Sequence, residues 1–157
     1  MKLTAKEDIE APIAFVTAFL SDFEAWERAA MRRGADVQRV DSLRIPGPGM
    51  EWNVGFAYRG KKRDLNVKLL KLVADQNLSF DCTAKPAIGS LTIDLAEMGP
   101  RRTRLVVNLE IKPRTLAARL VMQTVKLAKA KLIRRFTLRL SHLAADIEDR
   151  YKAQAKS

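Results

Sequence analysis

The sequence predicts an α+β protein: a curved antiparallel sheet of about seven strands, two short helices after the first strand, and one long C-terminal helix across the sheet. Three observations predict it. Between residues 36 and 112, apolar and polar side chains alternate with a period of two, which is typical of antiparallel strands with one buried face. Residues 12–34 and 115–151 instead follow the helical period. A sheet with one apolar face needs a covering layer, which the C-terminal helix supplies.

The strand pattern is interrupted by turn sequences. The first strand is predicted at 2–9 and ends before Pro12, because a proline disfavours helical conformation in the residue that precedes it. Arg59-Gly60-Lys61-Lys62 and Met98-Gly99-Pro100-Arg101 have the composition of hairpin turns. The other strands are predicted at 36–44, 50–59, 63–73, 77–84, 90–97 and 103–112.

Three helices are predicted from spacing and capping. The first begins at Pro12, a favourable first-turn residue. Ser21 or Asp22 can cap the second, which ends near Gly34. The third covers 115–151 without a glycine or proline. Its apolar residues recur in steps of three and four as one stripe: Val121, Val125, Ala128, Leu132, Phe136, Leu140, Leu143, Ile147 and Tyr151.

Length and composition limit the class of protein. A chain of 157 residues is expected to form one domain, residues 1–157. Its 29 Lys and Arg residues exceed its 18 Asp and Glu residues, which gives a net charge of +11. One cysteine and one histidine exclude an internal disulfide and the usual zinc sites, so we expect no metal and no cofactor. Without a signal sequence or an apolar run of membrane-spanning length, a cytoplasmic protein is expected.

Sequence motifs for catalysis are absent. Gly47-Pro48-Gly49 begins like a dinucleotide-binding loop, but no third glycine follows, and the chain contains no P-loop. A nucleophile with a histidine base would need His142, which lies about 80° from the middle of the helical stripe. Cys82 faces inward beside apolar residues and is expected to be a small buried hydrophobe. We therefore predict no catalytic residue.

The element order and several residues together resemble the START/SRPBCC superfamily. This superfamily has the helix-grip fold and includes polyketide cyclase/dehydrase-like and lipid-binding proteins. The resemblance implies an apolar ligand between sheet and long helix, such as a lipid, sterol, polyketide or quinone, and supplies no catalytic residue. The residues behind it are Ile9-Glu10-Ala11-Pro12, Val16, Phe23, Trp26, the hairpin from Trp52 to Val67, and the amphipathic C-terminal helix.

The space between the sheet and the C-terminal helix is either a solid core or a ligand cavity. Alternation and helical spacing predict which side chains face it. The expected lining consists of Trp52, Val54, Phe56, Tyr58, Leu65, Val67, Phe80, Cys82, Ile93, Val107, Leu109, Val125, Leu132, Phe136, Arg139 and Leu143.

Arg135 and Arg139 fall within the apolar stripe of the C-terminal helix. A charge facing the sheet must be paired, because an unpaired buried charge is costly. The two arginines therefore either pair with an acidic residue, extend to the domain edge, or anchor a ligand carboxylate or enolate.

Basic residues are expected to form a collar at the mouth of the cavity. Alternate connections of an antiparallel meander emerge at the same end of the sheet. The turn between the third and fourth strands, the turn between the fifth and sixth, and the exit into the long helix therefore share one end. The alternative is scattered solubilising charge. The expected collar consists of Arg59, Lys61, Lys62, Arg63, Lys85, Lys112 and Arg114.

The C-terminal helix has a second apolar stripe, bordered by cations. This pattern suits an anionic membrane surface or a partner helix, and the alternative is packing against the two short helices. Nucleic acid is disfavoured, because the strands lack exposed aromatic residues and no DNA-binding motif is present. The stripe consists of Leu116, Leu120, Leu127 and Leu138, and its flanking cations are Lys126, Lys131 and Arg134.

These observations predict a protein, monomeric or homodimeric, that binds, or binds and transports, a hydrophobic small molecule or lipid. Two other functions stay open. One is a cyclase or dehydratase acting on a polyketide-like or aromatic substrate, which would need polar groups converging in the cavity. The other is a basic adaptor that docks on an anionic membrane or an acidic partner.

Overall fold

The computed structural model describes residues 1–156, which form one sheet and four helices. In chain order the elements are β1 (Lys2–Ile9), α1 (Ile13–Leu20), α2 (Phe23–Arg32), β2 (Asp36–Arg39), β3 (Glu51–Tyr58), β4 (Lys61–Val73), β5 (Asn77–Thr83), β6 (Ala87–Gly99), β7 (Arg102–Pro113), α3 (Leu116–Leu127) and α4 (Lys129–Ala155).

The seven strands form an antiparallel sheet in the order β1-β7-β6-β5-β4-β3-β2. From β2 to β7, each strand pairs with the next one in sequence. Strand β1 forms one edge of the sheet and pairs with β7 along its whole length. This confirms the predicted fold class. It also confirms the predicted alternation: Trp52 lies opposite Val67, and Val54 lies opposite Leu65, so these side chains share the inner face.

Two irregularities bend the long strands. The pairing of β4 with β5 shifts between Leu69 and Lys71, and that of β6 with β7 shifts between Glu97 and Gly99. Such bulges increase strand twist and let a sheet curve. At the first of them Leu69 is wholly buried, and its N–H donates to the Met50 carbonyl over 2.8 Å. The curvature produces the concave face on which the helices lie.

Strand β2 is shorter than the predicted 36–44. It ends at Arg39 because Asp41 draws the chain out of the sheet. The Asp41 carboxylate accepts hydrogen bonds from the N–H groups of Leu43 and Glu51, both over 2.9 Å, and from the Arg39 guanidinium. An aspartate that binds its own backbone two residues ahead is a turn-forming device.

The C-terminal helix is not continuous, contrary to the prediction for 115–151. It divides at Ala128, where φ is −101° and ψ is 17°, into α3 and the 27-residue α4. No glycine or proline marks the break. The ends of the two helices are fixed by different parts of the fold, because α3 follows β7 directly whereas α4 is held by three buried residues, Leu140, Ala144 and Ile147. Within residues 1–156, no helix combines the length and apolar character needed to cross a membrane.

The solid part of the core lies where α1 and α4 pack on β1 and β7. Ile9, Val16, Leu105 and Ile147 are wholly buried there. The hydroxyl of Thr103, also wholly buried, donates to the Ala11 carbonyl over 2.8 Å and so satisfies a polar group inside this core. The site described below lies on the rest of the concave face.

The buried face of α4 should dominate the stability of the fold. Ile147→Ala is expected to lower the free energy of unfolding by about 2–5 kcal/mol, because it leaves a cavity at a residue with 0% exposure. Leu127→Ala, at a residue that is 89% exposed, should change it by less than about 0.5 kcal/mol. Urea denaturation followed by circular dichroism measures both values, and equal losses would contradict this account of the core.

Candidate functional site

A cavity of about 460 Å³ lies between the concave face of the sheet and the helices α2 and α4. Its lining is almost entirely apolar, and of its 18 residues only Glu27 and Arg139 are charged. The residues that line it are Leu20, Phe23, Trp26, Glu27, Ala30, Val37, Trp52, Val54, Val67, Phe80, Leu91, Ile93, Leu105, Val107, Phe136, Arg139, Leu140 and Leu143.

The two helices reach the cavity through the same spacing. The lining residues of α2 are 23, 26, 27 and 30, and those of α4 are 136, 139, 140 and 143. Residues at i, i+3, i+4 and i+7 lie along one helix face, so each helix presents a single stripe to the cavity. Trp26 and Arg139 are exposed as well as lining it, which places the opening between α2 and α4.

An aromatic cluster shapes one side of the cavity. The Phe23 ring lies 5.5 Å from the Trp52 ring and 6.4 Å from the Phe80 ring, measured between centroids. The first contact is tilted and the second edge-on, and both centroid separations lie in the range that aromatic pairs favour. Trp26 is fixed separately, since its indole N–H donates to the Leu20 carbonyl over 3.2 Å and its ring packs against Phe19.

Two polar atoms of the lining residues are enclosed and lack a partner. The Oε2 atom of Glu27 and the Nε1 atom of Trp52 make no hydrogen bond within residues 1–156. Leaving a buried donor or acceptor unpaired costs about 1–3 kcal/mol. Trp52 is only 6% exposed, so solvent does not satisfy its N–H from outside. Both atoms are closed off from solvent, including solvent in the cavity, so each carries this cost unrelieved.

A cation lies against Trp52. The Arg39 guanidinium is 5.8 Å from the centre of the Trp52 ring, in cation–π range, and it pairs with Asp41. The Arg39 guanidinium, together with the N–H groups of Glu51 and Leu43, holds the pKa of Asp41 well below its usual range. The hydrogen bond to Asp41 is the main cause of the raised pKa of Arg39, and the negative charge of Glu27 adds to it.

Nine of the sixteen residues predicted to face the space lie in the cavity lining. Alternation on five strands and one stripe on α4 bring them together. They are Trp52, Val54, Val67, Phe80, Ile93, Val107, Phe136, Arg139 and Leu143.

The other seven predicted residues lie outside the lining. Phe56 and Tyr58 are on the same strand as Trp52 but are exposed, beyond the part of the sheet that α2 and α4 cover. Val125 belongs to α3, before the break at Ala128, and Leu132 lies in the first turn of α4, one turn before Phe136, where the lining residues of that helix begin. The remaining three, half-buried on their strands, are Leu65, Cys82 and Leu109.

Sequence reasoning missed half of the lining. The residues from α2 were overlooked because a short helix was assigned to packing, although its spacing of 23, 26, 27 and 30 could have indicated a shared face. Leu91 and Leu105 were detectable, because each lies two residues before a predicted lining residue, Ile93 or Val107, and so on the same face of its strand. The nine missed residues are Leu20, Phe23, Trp26, Glu27, Ala30, Val37, Leu91, Leu105 and Leu140.

Cys82 borders a second, smaller hollow of about 260 Å³, formed with parts of β5, β6 and β7. Burial is the main cause of the raised pKa of its thiol, and the charge of Asp81 adds to it. A thiol with a raised pKa is a poor nucleophile. His142 is exposed on α4. Among residues 1–156, no three His, Cys, Asp or Glu side chains converge as metal ligands.

The seven basic residues of the expected collar do lie at one end of the sheet. The β5–β6 turn meets the exit of β7, where the Arg114 N–H donates to the Pro86 carbonyl over 2.8 Å. None of the seven lines the cavity, whose opening is bordered by Trp26 and Arg139. Arg135 is exposed and outside the lining. No carboxylate in the described residues lies within 4.0 Å of the Arg139 guanidinium.

Sequence comparisons give no match. Neither a protein-family model nor a curated protein sequence matches this chain. Structural comparison does, and it finds solved structures of similar architecture over almost the whole chain.

Three of these structures illustrate the likeness. The ZhuI aromatase/cyclase from Streptomyces sp. R1128 has a TM-score of 0.69 at 14% identity, covering 96% of this chain and 94% of that one. A START superfamily protein from Mycobacterium smegmatis has a TM-score of 0.64 at 13% identity, covering 98% of both chains. Norcoclaurine synthase from Thalictrum flavum has a TM-score of 0.66 at 10% identity, covering 95% of this chain and 84% of that one. The fold is therefore the START/SRPBCC helix-grip fold, as the sequence predicted.

The cation beside Trp52 should make stability depend on pH through Asp41. Because the folded-state pKa of Asp41 is lowered, its ionised form stabilises the fold above the unfolded-state pKa of about 3.9, and this contribution is lost as the pH falls below that value. Asp41→Asn should therefore be less stable than the wild-type protein near neutral pH, and the difference should shrink below about pH 4.

Urea denaturation at a series of pH values measures this difference. Asp149→Asn, at an exposed carboxylate on α4, controls for the loss of one negative charge. A difference for Asp41→Asn that stays constant with pH would contradict the role assigned to the ionised carboxylate.

Proposed function

We propose that this protein binds an apolar small molecule in the cavity between the sheet, α2 and α4. The observation behind the proposal is the cavity itself, because about 460 Å³ lies within the usual range of ligand sites, roughly 300–1,000 Å³. An empty apolar space of this size forfeits packing contacts that a ligand would restore. The binding of hydrophobic ligands is also general among proteins with this fold.

The two unpartnered polar atoms indicate what the ligand needs besides apolar surface. Both atoms are enclosed beside the cavity, so a side-chain adjustment on binding would bring them to its surface. The Trp52 N–H would then donate to a ligand oxygen, and the Glu27 carboxylate would accept a hydrogen bond from a hydroxyl. A ligand that pairs both atoms removes their desolvation cost, whereas a pure hydrocarbon leaves it in place. We therefore expect a mainly apolar ligand with one hydroxyl or carbonyl end, and Arg139 at the opening is available to an anionic substituent.

Binding is favoured over covalent catalysis by the chemistry of the lining. Among the described residues, those that line the cavity include no Ser, Thr, Cys, His, Tyr or Lys side chain. The remaining catalytic candidate is Glu27, whose enclosed carboxylate oxygen could exchange a proton with a bound substrate. A cyclase or dehydratase acting on a polyketide-like or aromatic substrate is therefore the second candidate, and the aromatase/cyclase of the same fold supports it. The expected site of action for either function is the cytoplasm.

The first test asks whether the cavity takes a ligand. Both tryptophans of the chain line it, so an apolar fluorophore such as N-phenylnaphthylamine should quench their emission by energy transfer when it binds. Ala30→Phe should weaken the binding of this probe about tenfold or more, because the ring occupies the space beside α2. Ala29→Phe is the matched control, since Ala29 neighbours it on the same helix but lies outside the lining.

The probe is titrated into the wild-type protein and into both variants. The comparison requires that the variants melt at the same temperature as the wild-type protein. Equal weakening by the two phenylalanines would place the probe elsewhere on the surface. An absence of quenching for the wild-type protein, with this probe and with fatty acyl probes, would overturn the proposal.

The second test asks whether the polar atoms select the ligand. Naphthol should bind more tightly than methylnaphthalene of nearly the same shape, by about tenfold for one good hydrogen bond inside an apolar site. Trp52→Phe and Glu27→Gln should each reduce this preference. Trp26→Phe should leave it unchanged, because the Trp26 N–H already donates to the Leu20 carbonyl. An equal affinity of the wild-type protein for both probes would contradict the polar part of the proposal only.

A further inference from the structure

Helix α3 turns its leucines towards solvent. Leu116, Leu120 and Leu127 fall within about 40° of one another at 100° per residue, and they are 73%, 59% and 89% exposed. Met122 and Val125, which lie on the opposite side of the helix, are half-buried. We call the three exposed residues the leucine face. Its exposure excludes the alternative in which these leucines pack against the two short helices.

This arrangement is unusual for a helix on a protein surface. An amphipathic helix normally buries its leucines and exposes its charges, yet no residue of α3 is buried. Leu138, in the first half of α4, is also 56% exposed. Contiguous exposed apolar surface on this scale marks an interaction site more often than it marks chance.

The surroundings of the leucine face are uniformly cationic. No acidic residue occurs between Glu110 and Asp146, whereas nine basic residues do. Only one of the nine, Lys112, lies within 4.0 Å of a carboxylate in the described part of the chain. The nine are Lys112, Arg114, Arg119, Lys126, Lys129, Lys131, Arg134, Arg135 and Arg139.

The topology adds further cations at the same end of the molecule. Helix α3 follows β7 at the end of the sheet where the β3–β4 hairpin turns. At that hairpin Arg59 and Gly60 both have positive φ, so the turn is a tight two-residue one, and the Arg59 guanidinium lies 5.4 Å from the Tyr58 ring centre. Tyr58, Lys61 and Lys62 are exposed beside it. Helix α3 and the cations of the hairpin thus lie at the same end of the sheet.

We propose that the leucine face of α3 docks on the surface of an anionic lipid bilayer. The leucines would enter the boundary between headgroups and acyl chains, while the surrounding Lys and Arg side chains meet lipid phosphates. A second copy of this chain would bring the same cations against one another, so charge complementarity selects an anionic partner. Nucleic acid would leave the leucines unpaired, because its binding relies on phosphate contacts and aromatic stacking.

The experiment compares sedimentation with vesicles of phosphatidylcholine alone and of phosphatidylcholine with phosphatidylglycerol. The wild-type protein should bind the mixed vesicles at least tenfold more tightly, and the binding should weaken as salt rises from about 0.1 to about 0.5 M. Leu120→Ser with Leu127→Ser should reduce binding to mixed vesicles about tenfold or more without changing net charge. Gln123→Ser with Thr124→Ser is the matched control on the same helix, and it should bind like the wild-type protein.

Three results would overturn the proposal. The first is equal binding of the leucine variant and the control, which would mean that net charge alone attracts the protein. The second is equal binding to the two kinds of vesicle. The third is a dimer in lipid-free solution that the leucine variant dissociates, since a second copy would then cover the face. If the double variant melts at a lower temperature, Leu127→Ser alone serves, because this residue is 89% exposed. The cavity is a different surface, so failure here leaves the ligand proposal intact.

Discussion

The packing of α4 against one side of a curved sheet determines the rest of the structure. Ala144 and Ile147 are almost wholly buried where α4 lies on β1, and this contact fixes the position of the helix. Because the sheet curves at its bulges, a straight helix held at one end stands away from the concave face elsewhere. The cavity is the space that results, and α2 closes its other side. One tightly packed contact therefore creates both the stable core and the cavity.

The cavity is lined almost entirely by apolar side chains, and two polar atoms of its lining residues have no hydrogen-bond partner in the described residues. Phe23 and Trp52 pack as in a core, yet the Trp52 N–H and a Glu27 carboxylate oxygen stay unpaired. In a solid core such atoms would be paired or replaced, because each costs free energy that packing must offset. Their position beside a cavity is the basis for proposing a ligand whose hydroxyl or carbonyl group would supply the missing partner. The same atoms would be the starting point for catalysis, should a substrate present an acidic proton to Glu27.

The break at Ala128 has the opposite consequence for α3. Val125, on the side opposite the leucine face, is half-buried, and no residue of α3 is buried, whereas α4 buries Leu140, Ala144 and Ile147. The buried stripe of the C-terminal segment thus belongs to α4, while α3 presents a different set of leucines to solvent. Of the nine cations of this region, only Lys112 has a carboxylate within 4.0 Å in the described residues, which is why we propose an anionic partner for this segment.

Local pattern in the sequence determined the elements, their order and the face that each strand turns inward. The alternation through Trp52 and Val54 predicts β3 because neighbouring side chains on a strand must point to opposite sides, whatever surrounds them. The same alternation extends to Phe56, but only the tertiary structure decided that α2 and α4 cover the strand no further than Val54. The end of β2 is set by the hydrogen bonds that Asp41 accepts from Arg39, Leu43 and Glu51, which the alternation of side chains does not record. Periodicity is a property of consecutive residues and identifies a face, whereas the extent of a cavity depends on where other elements stop.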